Sequence, residues 1–335
     1  MNQRSVSTVA GKSAEHGDGT VARKPPALTR DRLIMPFAPA SPAEPARIVA
    51  GMAELTRLGF SVAEGASFES HGYFSAVTAS RREDFLHALN RQDVGALVGV
   101  RGGYGSNYLL DDLNIPSSAN PKIILGFSDL TSLQLYLWKR CHWVTFYGPM
   151  LAAGLDAGAG AAKGYDEKSL SAALQTTSGG WTLDLQGQAL RDGEARGRLL
   201  GGCLTLVETS IGTPWDLETD GAILVLEDRG MKPWQVDRAL MHLKQAGKFK
   251  GVRGIVLGDF PECEPPMPAS PTVRDVCLRI LGDLGVPTIF GAPIGHTMRP
   301  MLTVPLGIEA RLSTKAFEGA GGEGVLEILE PAVVS

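Results

Sequence analysis

From Arg32 onward, short apolar runs alternate with stretches whose apolar residues recur every three or four positions. Leu33-Ile34-Met35 reads as a strand and leads into a Pro-rich turn (Pro36, Pro39, Pro42, Pro45). Ile48, Met52, Leu55 and Leu58 keep one face of a helix that Gly59 ends. Phe60-Ser61-Val62 is the next strand. Ser80-Arg81-Arg82-Glu83 has the form of a capping box opening a helix that carries Phe85, Leu86 and Leu89. Ala96-Leu97-Val98-Gly99-Val100 is a continuous apolar run of the kind buried in parallel sheets. A helix near residues 106–113, a strand at 123–126, a helix marked by Leu130, Leu133 and Leu137, and a strand at 144–147 complete this half. Strand–helix repetition of this kind predicts an α/β fold with a parallel sheet covered on both faces.

Residues 154–197 are rich in Gly, Ala, Ser and Thr, and one short helix (167–174) interrupts them. They read as a connection. Beyond them strands outnumber helices, at 222–226, 254–257, 287–290, 303–305, 307–312 and 325–328, with helices near 236–245 and 273–284. The expected organisation is a tail at 1–24, an N-terminal α/β domain at 25–153, the connection at 154–197 and a strand-rich C-terminal domain at 198–335. No internal repeat is present.

Composition narrows the class. The chain has 335 residues, 44% hydrophobic and 20% charged, which suits a folded protein with a sizeable core. Its net charge is −4 and the two signs are interspersed, so nothing favours a nucleic-acid partner. No apolar run approaches the ~20 residues of a membrane span, and the N-terminus lacks the apolar core of a signal peptide. The first 24 residues carry few large apolar side chains and are expected to be disordered. Cys141, Cys203, Cys263 and Cys277 show no C-x-x-C spacing and sit among apolar neighbours, as buried thiols of a reducing compartment do. A cytoplasmic location follows as the expectation.

Candidate chemistry centres on Ile123-Ile124-Leu125-Gly126-Phe127-Ser128-Asp129-Leu130-Thr131. A strand, a sharp turn and a helix expose the Ser128 hydroxyl and aim helix N-terminal amides at it. Such a Ser is either a nucleophile, if a base lies elsewhere in the chain, or a plain helix N-cap. Of the six histidines, His16 lies in the tail, His87 and His242 lie within amphipathic helices, and His142 is at a packing position between Cys141 and Trp143. His71 stays open as a loop residue. His296, in Gly291-Ala292-Pro293-Ile294-Gly295-His296-Thr297, follows an apolar strand, where catalytic side chains are often held; its other reading is a loop His bonded to backbone. Glu227 ends the run Ile223–Leu226 and fits the carboxylate that steadies a base His, or else a surface ion pair with Arg229. Strand alternation sends Asp228 to the opposite side. For an oxyanion, the Asp129 amide is the natural first donor, and Gly102 or Gly103 can supply a second. Gly102-Gly103-Tyr104-Gly105 is not a dinucleotide or P-loop signature, and the string around Ser128 lacks the final Gly of the G-x-S-x-G elbow. An ordinary esterase fold is therefore disfavoured.

With these residues in place the chain resembles the LD-carboxypeptidase family of serine peptidases, which includes muramoyltetrapeptide carboxypeptidases of peptidoglycan recycling and the microcin C immunity peptidases. The resemblance covers most of residues 25–330. It rests on an ordered set: 24–28, 55–60, Arg101–Gly105, Gly126–Thr131, Gly148–Met150, Gly197–Gly202, Gly212–Trp215, Leu226–Asp228, Val236–Arg238 and Gly295-His296. It implies a flavodoxin-like N-terminal domain, a strand-rich C-terminal domain, a site between them and a homodimer. It implies Ser128 as nucleophile, Glu227 and His296 as acid and base, and oxyanion donors at Asp129 and in the Gly102-Gly103 turn. The reaction implied is hydrolysis, without metal or cofactor, of an amide near a peptide's C-terminus, releasing D-alanine in the recycling enzymes. Microcin-type cleavage of peptidyl nucleotides, with Trp143, Trp181, Trp215 and Trp234 as candidate base platforms, and a non-catalytic binding module are the alternatives. Three positions depart from the family pattern: Tyr147 where His is frequent, Cys203 where Asn is usual, and Met231 where Glu is common.

Overall fold

A computed structural model describes residues 21–63, 70–316 and 322–335. Two sheets organise it. The first contains β1 (Leu33–Phe37), β2 (Ser61–Val62), β3 (Val94–Gly99), β4 (Ile123–Gly126) and β5 (Thr145–Tyr147), parallel throughout in the order β5-β4-β3-β1-β2. Helices α1 (Pro45–Arg57), α2 (Thr78–Asn90) and α3 (Thr131–Cys141) accompany it. Every residue of β4 is buried, as expected where both faces of a parallel sheet are covered. This is the α/β layer predicted from the periodicity.

The second sheet is mixed. β6 (Trp181–Asp184), β7 (Gln188–Arg191), β8 (Gly193–Cys203), β9 (Ala222–Glu227), β10 (Gly254–Gly258) and β11 (Thr288–Ala292) precede β13 (Glu309–Ala316) and β14 (Gly322–Ile328). Their order is β6-β14-β13-β8-β9-β10-β11-β7. The centre, β8 to β11, is parallel, and the flanks are antiparallel. Strand alternation divides β9 between two cores. Ile223 and Val225 join the apolar cluster that also fills the first sheet. Ala222, Leu224 and Leu226 pack under α5 (Leu204–Thr209), α6 (Pro233–Gln245) and α7 (Val273–Leu281). The two sheets thus share a continuous core. β12 (Val304–Leu306) ties them further: it lies in the second half of the sequence but pairs antiparallel with β5 in the first sheet.

Several local expectations differ from the structure. The stretch at 154–197 holds its helix as α4 (Glu167–Gln175), but also β6, β7 and the start of β8. Gly and Thr there punctuate short strands, a pattern that resembles a linker by composition. Ser80 opens no helix: α2 starts at Thr78 after Val77, without a side-chain cap. A capping box does form at Thr272/Asp275, opening α7. Residues 106–112 form a 3₁₀ helix. Of the tail expected at 1–24, residues 1–20 lie outside the described residues, while Arg23 pairs with Trp143 and Lys24 with Glu330 (2.6 Å). The four cysteines are buried and unpaired. Among the described residues no helix is long and apolar enough to cross a membrane.

Candidate active site

The carboxyl ends of β3, β4, β9 and β11 lead into the segments carrying Gly102, Ser128, Glu227 and His296, the end of a parallel sheet where ligands are usually received. β4 stops at Gly126, Phe127 is extended, and Ser128 has φ +62° before a short 3₁₀ turn feeds α3. A left-handed backbone on a residue other than Gly costs about 1–3 kcal/mol and persists only where surroundings impose it. Ser128 does not cap the helix, since no side-chain cap bond is made there. The N-cap reading of this residue therefore fails. Its amide is spent on the Tyr147 hydroxyl (3.2 Å).

The glycine turn closes over this point. A Cβ built on Gly102 would lie 2.8 Å from Ser128 Cβ, 2.9 Å from Ser128 Oγ and 3.3 Å from the Asp129 nitrogen. Only Gly admits so close an approach. Gly103, with φ +103°, faces Ser41 instead. The buried Asp129 side chain binds the turn from below, accepting from the amides of Ser106 (2.8 Å) and Gly105 (3.3 Å), and its carbonyl accepts from Ser106 Oγ. Arg81, buried, donates to the carbonyls of Gly105 (2.9 Å) and Pro39. The nucleophile candidate and the glycine turn are thus one braced unit.

Glu227 is fully buried at the end of β9. Its Oε2 accepts from both the His296 amide and His296 Nδ1, each at 2.8 Å. Its Oε1 accepts from the Tyr147 hydroxyl at 2.5 Å. Burial pushes its pKa up, but the His296 charge and these hydrogen bonds outweigh that, holding it below the ordinary 4.5. His296 shows the converse: burial pulls it down, and Glu227 more than restores it, to above 6.5. Tyr147, buried beside that carboxylate, is driven well above the phenol range and stays a donor. Gly258 and Gly295 make room for the carboxylate. A Cβ on Gly258 would sit 2.5 Å from Glu227 Cβ, and one on Gly295 (φ +66°) would sit 2.6 Å from Glu227 Cγ.

Asp228 turns the other way, as alternation predicts. It accepts from Thr205 N (2.9 Å), Thr205 Oγ1 (2.7 Å) and Arg229 N (2.8 Å), and from Cys203 Sγ (3.5 Å). Burial and the neighbouring Glu227 charge raise its pKa. The surface ion pair weighed for Glu227 does not form, because Arg229 binds Glu262 (2.5 Å). The His296 loop is pinned by Asp259, which accepts from Thr297 and from Arg299 (2.5 Å). The Phe127 ring meets the His296 ring edge-on at 5.0 Å.

The structure therefore brings Glu227 and His296 into direct contact and joins Ser128 to them through Tyr147. Among the described residues, Ser128 Oγ makes no hydrogen bond to His296. The other histidines gather elsewhere. His71, His87 and His142 are exposed, and His242 binds Glu208 at 2.6 Å. His142, expected to pack, instead ends α3 in the left-handed region, with φ +53°. His16 lies outside the described residues. Tyr147 stood out in the sequence only as an unusual residue at its position; its grip on Glu227 needs the neighbouring sheet to be seen. The Asp129 carboxylate, Arg81 and Gly258 carried no signal of their own, and Gly295 stood out only as the residue before His296. Of the remaining departures, Cys203 donates its amide to Thr131 Oγ1 (3.1 Å) and Met231 Sδ accepts from Thr205 Oγ1 (3.7 Å).

Residues 34–148 match the model of the LD-carboxypeptidase N-terminal domain, and residues 196–312 match that of the LD-carboxypeptidase C-terminal domain. The Bacillus subtilis (strain 168) protein named "probable murein peptide carboxypeptidase" is 32% identical over 313 residues, 91% of this chain and 97% of that one. The chain belongs to the LD-carboxypeptidase family. It is a peptidase of that family; the Bacillus relative is named a probable murein peptide carboxypeptidase, and others are named putative carboxypeptidases. The Microcin C7 self-immunity protein MccF of Escherichia coli is a further relative, 27% identical over 300 residues, covering 81% of this chain and 87% of its own. Among solved structures, the muramoyltetrapeptide carboxypeptidase from Oxalobacter formigenes superposes with a TM-score of 0.76 at 27% identity over 89% of this chain and 99% of that one. MccF in complex with glutamyl sulfamoyl guanosine has a TM-score of 0.79 at 24% identity, over 92% and 99%, which shows the shared LD-carboxypeptidase fold.

Proposed function

We propose that this chain is a serine carboxypeptidase that releases a C-terminal D-amino acid from the L-centre of a murein tetrapeptide. The observation that carries the reading is the grip on Glu227. A fully buried carboxylate receives the amide and Nδ1 of His296 on one oxygen and Tyr147 on the other. With Nδ1–H given to Glu227, Nε2 is the basic nitrogen.

Ser128 Oγ attacks the scissile carbonyl and passes its proton to His296 Nε2, a contact that tightens when substrate binds. Glu227 stabilises the imidazolium. The oxyanion is received by the Asp129 amide and by backbone of the Gly102-Gly103 turn, of which Gly102 lies beside Ser128. His296 then protonates the leaving amine, the C–N bond breaks, and the acyl group stays on Ser128. Water, deprotonated by His296, attacks the ester carbonyl; the C–Oγ bond then breaks, His296 returns the proton to Ser128 Oγ, and the shortened peptide leaves with a new carboxylate. No metal or redox partner enters this balance. A cytoplasmic homodimer completes the reading.

The MccF relative supports a second reading, cleavage of an aminoacyl or peptidyl nucleotide, although murein peptides are favoured by the higher identity of the Bacillus relative. The test is D-alanine release from a murein tetrapeptide, compared by kcat/KM with hydrolysis of an aminoacyl sulfamoyl nucleoside. Activity on the tetrapeptide that disappears in folded Ser128→Ala supports the proposal. Undiminished activity in that variant refutes the serine mechanism.

A further inference from the structure

The Gly102-Gly103 turn continues directly into an aromatic surface. Tyr73, Tyr104 and Tyr108 are 61%, 43% and 48% exposed, unusual for large rings. They are in mutual contact around Phe74. Tyr73 lies 5.9 Å from Tyr104, Tyr104 lies 5.8 Å from Tyr108, and Phe74 lies 4.4–6.1 Å from all three, centroid to centroid.

The mount is rigid. The Arg81 guanidinium covers the Phe74 ring at 4.6 Å, and a Cβ on Gly105 would sit 2.7 Å from Phe74 Cδ1. Residues 71 and 74 bond each other's backbone in both directions, at 2.8 and 3.1 Å. The Tyr104 amide is fixed to Ser41 Oγ at 3.1 Å. Arg81 and Asp129 therefore position these rings and the Ser128 turn together.

We propose that Tyr73, Tyr104 and Tyr108 form a shelf that holds the sugar ring of a muramoyl peptide while its tetrapeptide occupies the site. The inference rests on the carboxypeptidase reading above. His296, from the second sheet, serves the leaving amine, and a carboxypeptidase has a single residue on that side. Everything else the substrate carries extends away from His296. The glycine turn flanks Ser128 from the first sheet and carries the shelf onward. The rings of neighbouring tyrosines meet at 41° and 87°, so these pairs leave no parallel slot. A planar base is best held between two faces. A pyranose presents one C–H face to a single aromatic surface, and its hydroxyls suit phenols at the rim.

The test uses the full chain. Calorimetry on Ser128→Ala compares binding of muramoyl tetrapeptide with that of the same tetrapeptide lacking the sugar. Kinetics on the active protein compare kcat/KM for the same two. The sugar-bearing form is expected to bind roughly tenfold more tightly, the scale of one good aromatic contact, with the kinetic gain in KM. Tyr73→Ala and Tyr108→Ala should each reduce this ratio severalfold, Tyr73→Trp should preserve it, and Trp234→Ala on α6 should leave it at the parent value. Equal binding of the two substrates by the parent protein overturns the shelf, even where both are cleaved. So does an equal loss on both substrates in the variants, which marks a purely structural role. Failure to cleave either substrate refutes the carboxypeptidase reading instead, and the binding ratio still decides the shelf.

Discussion

Tyr147 is the side chain on which the site's parts converge, because its single hydroxyl donates to Glu227 and accepts from the Ser128 amide. Tyr147→Phe keeps the ring and removes both bonds. It is expected to lower stability by about 1.5–3 kcal/mol, the value of a hydrogen bond to a charged group, read from urea unfolding, and to lower kcat by roughly tenfold or more as Glu227 and the Ser128 turn lose their common anchor. Glu227→Gln should cost more, on the order of 10⁴ in kcat, since the amide favours the wrong His tautomer; single-turnover kinetics on folded protein measure it. The pH profile follows from the pair's mutual perturbation. His296 must be neutral to take a proton, and its pKa lies above 6.5, so the acid limb of kcat/KM should have its midpoint above that value. Stability has its own signs. The contribution of His296 is complete below 6.5 and lost as pH rises through its raised pKa. That of Glu227 is complete above 4.5 and lost as pH falls through its lowered one. The difference in urea midpoint between the parent and His296→Ala should therefore be largest between pH 4.5 and 6.5.

At the level of elements, the turn after β3 acts by proximity. Gly102→Ala places a methyl 2.9 Å from Ser128 Oγ. The same methyl meets Ser128 Cβ at 2.8 Å, so the turn must shift and carry its amides out of line; kcat should fall by roughly 10²–10³, the scale of a misplaced oxyanion donor, and the unfolding midpoint should fall with it, as paired kinetic and thermal measurements check. Gly295→Ala both strains a backbone at φ +66° and meets the Glu227 side chain, so activity and stability should fall together. These elements also show what the sequence discloses. The β4–Ser128–α3 string, the Glu227 strand end and the His296 loop were legible because apolar runs mark strands and polar residues at their ends stand out. Strands β6 and β7 were not, since four-residue strands among Gly and Thr lack enough periodicity to separate from a loop. Arg81 entered only as an inner position of the capping-box string, and only the tertiary fold shows it buried beneath the glycine turn. Ser80 misled because the capping-box pattern is short and recurs by chance.

Across the whole molecule, the sequence suggested two domains with a site between, and the structure adds that their cores are continuous and that β12 completes the first sheet from the far half of the chain. A fragment of residues 1–153 would expose β5 as an unpaired edge. It is expected to aggregate or to unfold without a cooperative transition, whereas the full chain should melt once by calorimetry. The strand exchange also bears on how substrate enters. β12 is hydrogen-bonded to β5, and β5 carries the tyrosine that clasps the carboxylate of β9. One backbone ladder and one buried side-chain bond rivet the halves, which cannot swing apart like jaws without breaking both. Admission of a peptide must fall to the segments over the strand tips, so crosslinking the two halves far from the cleft should leave turnover intact.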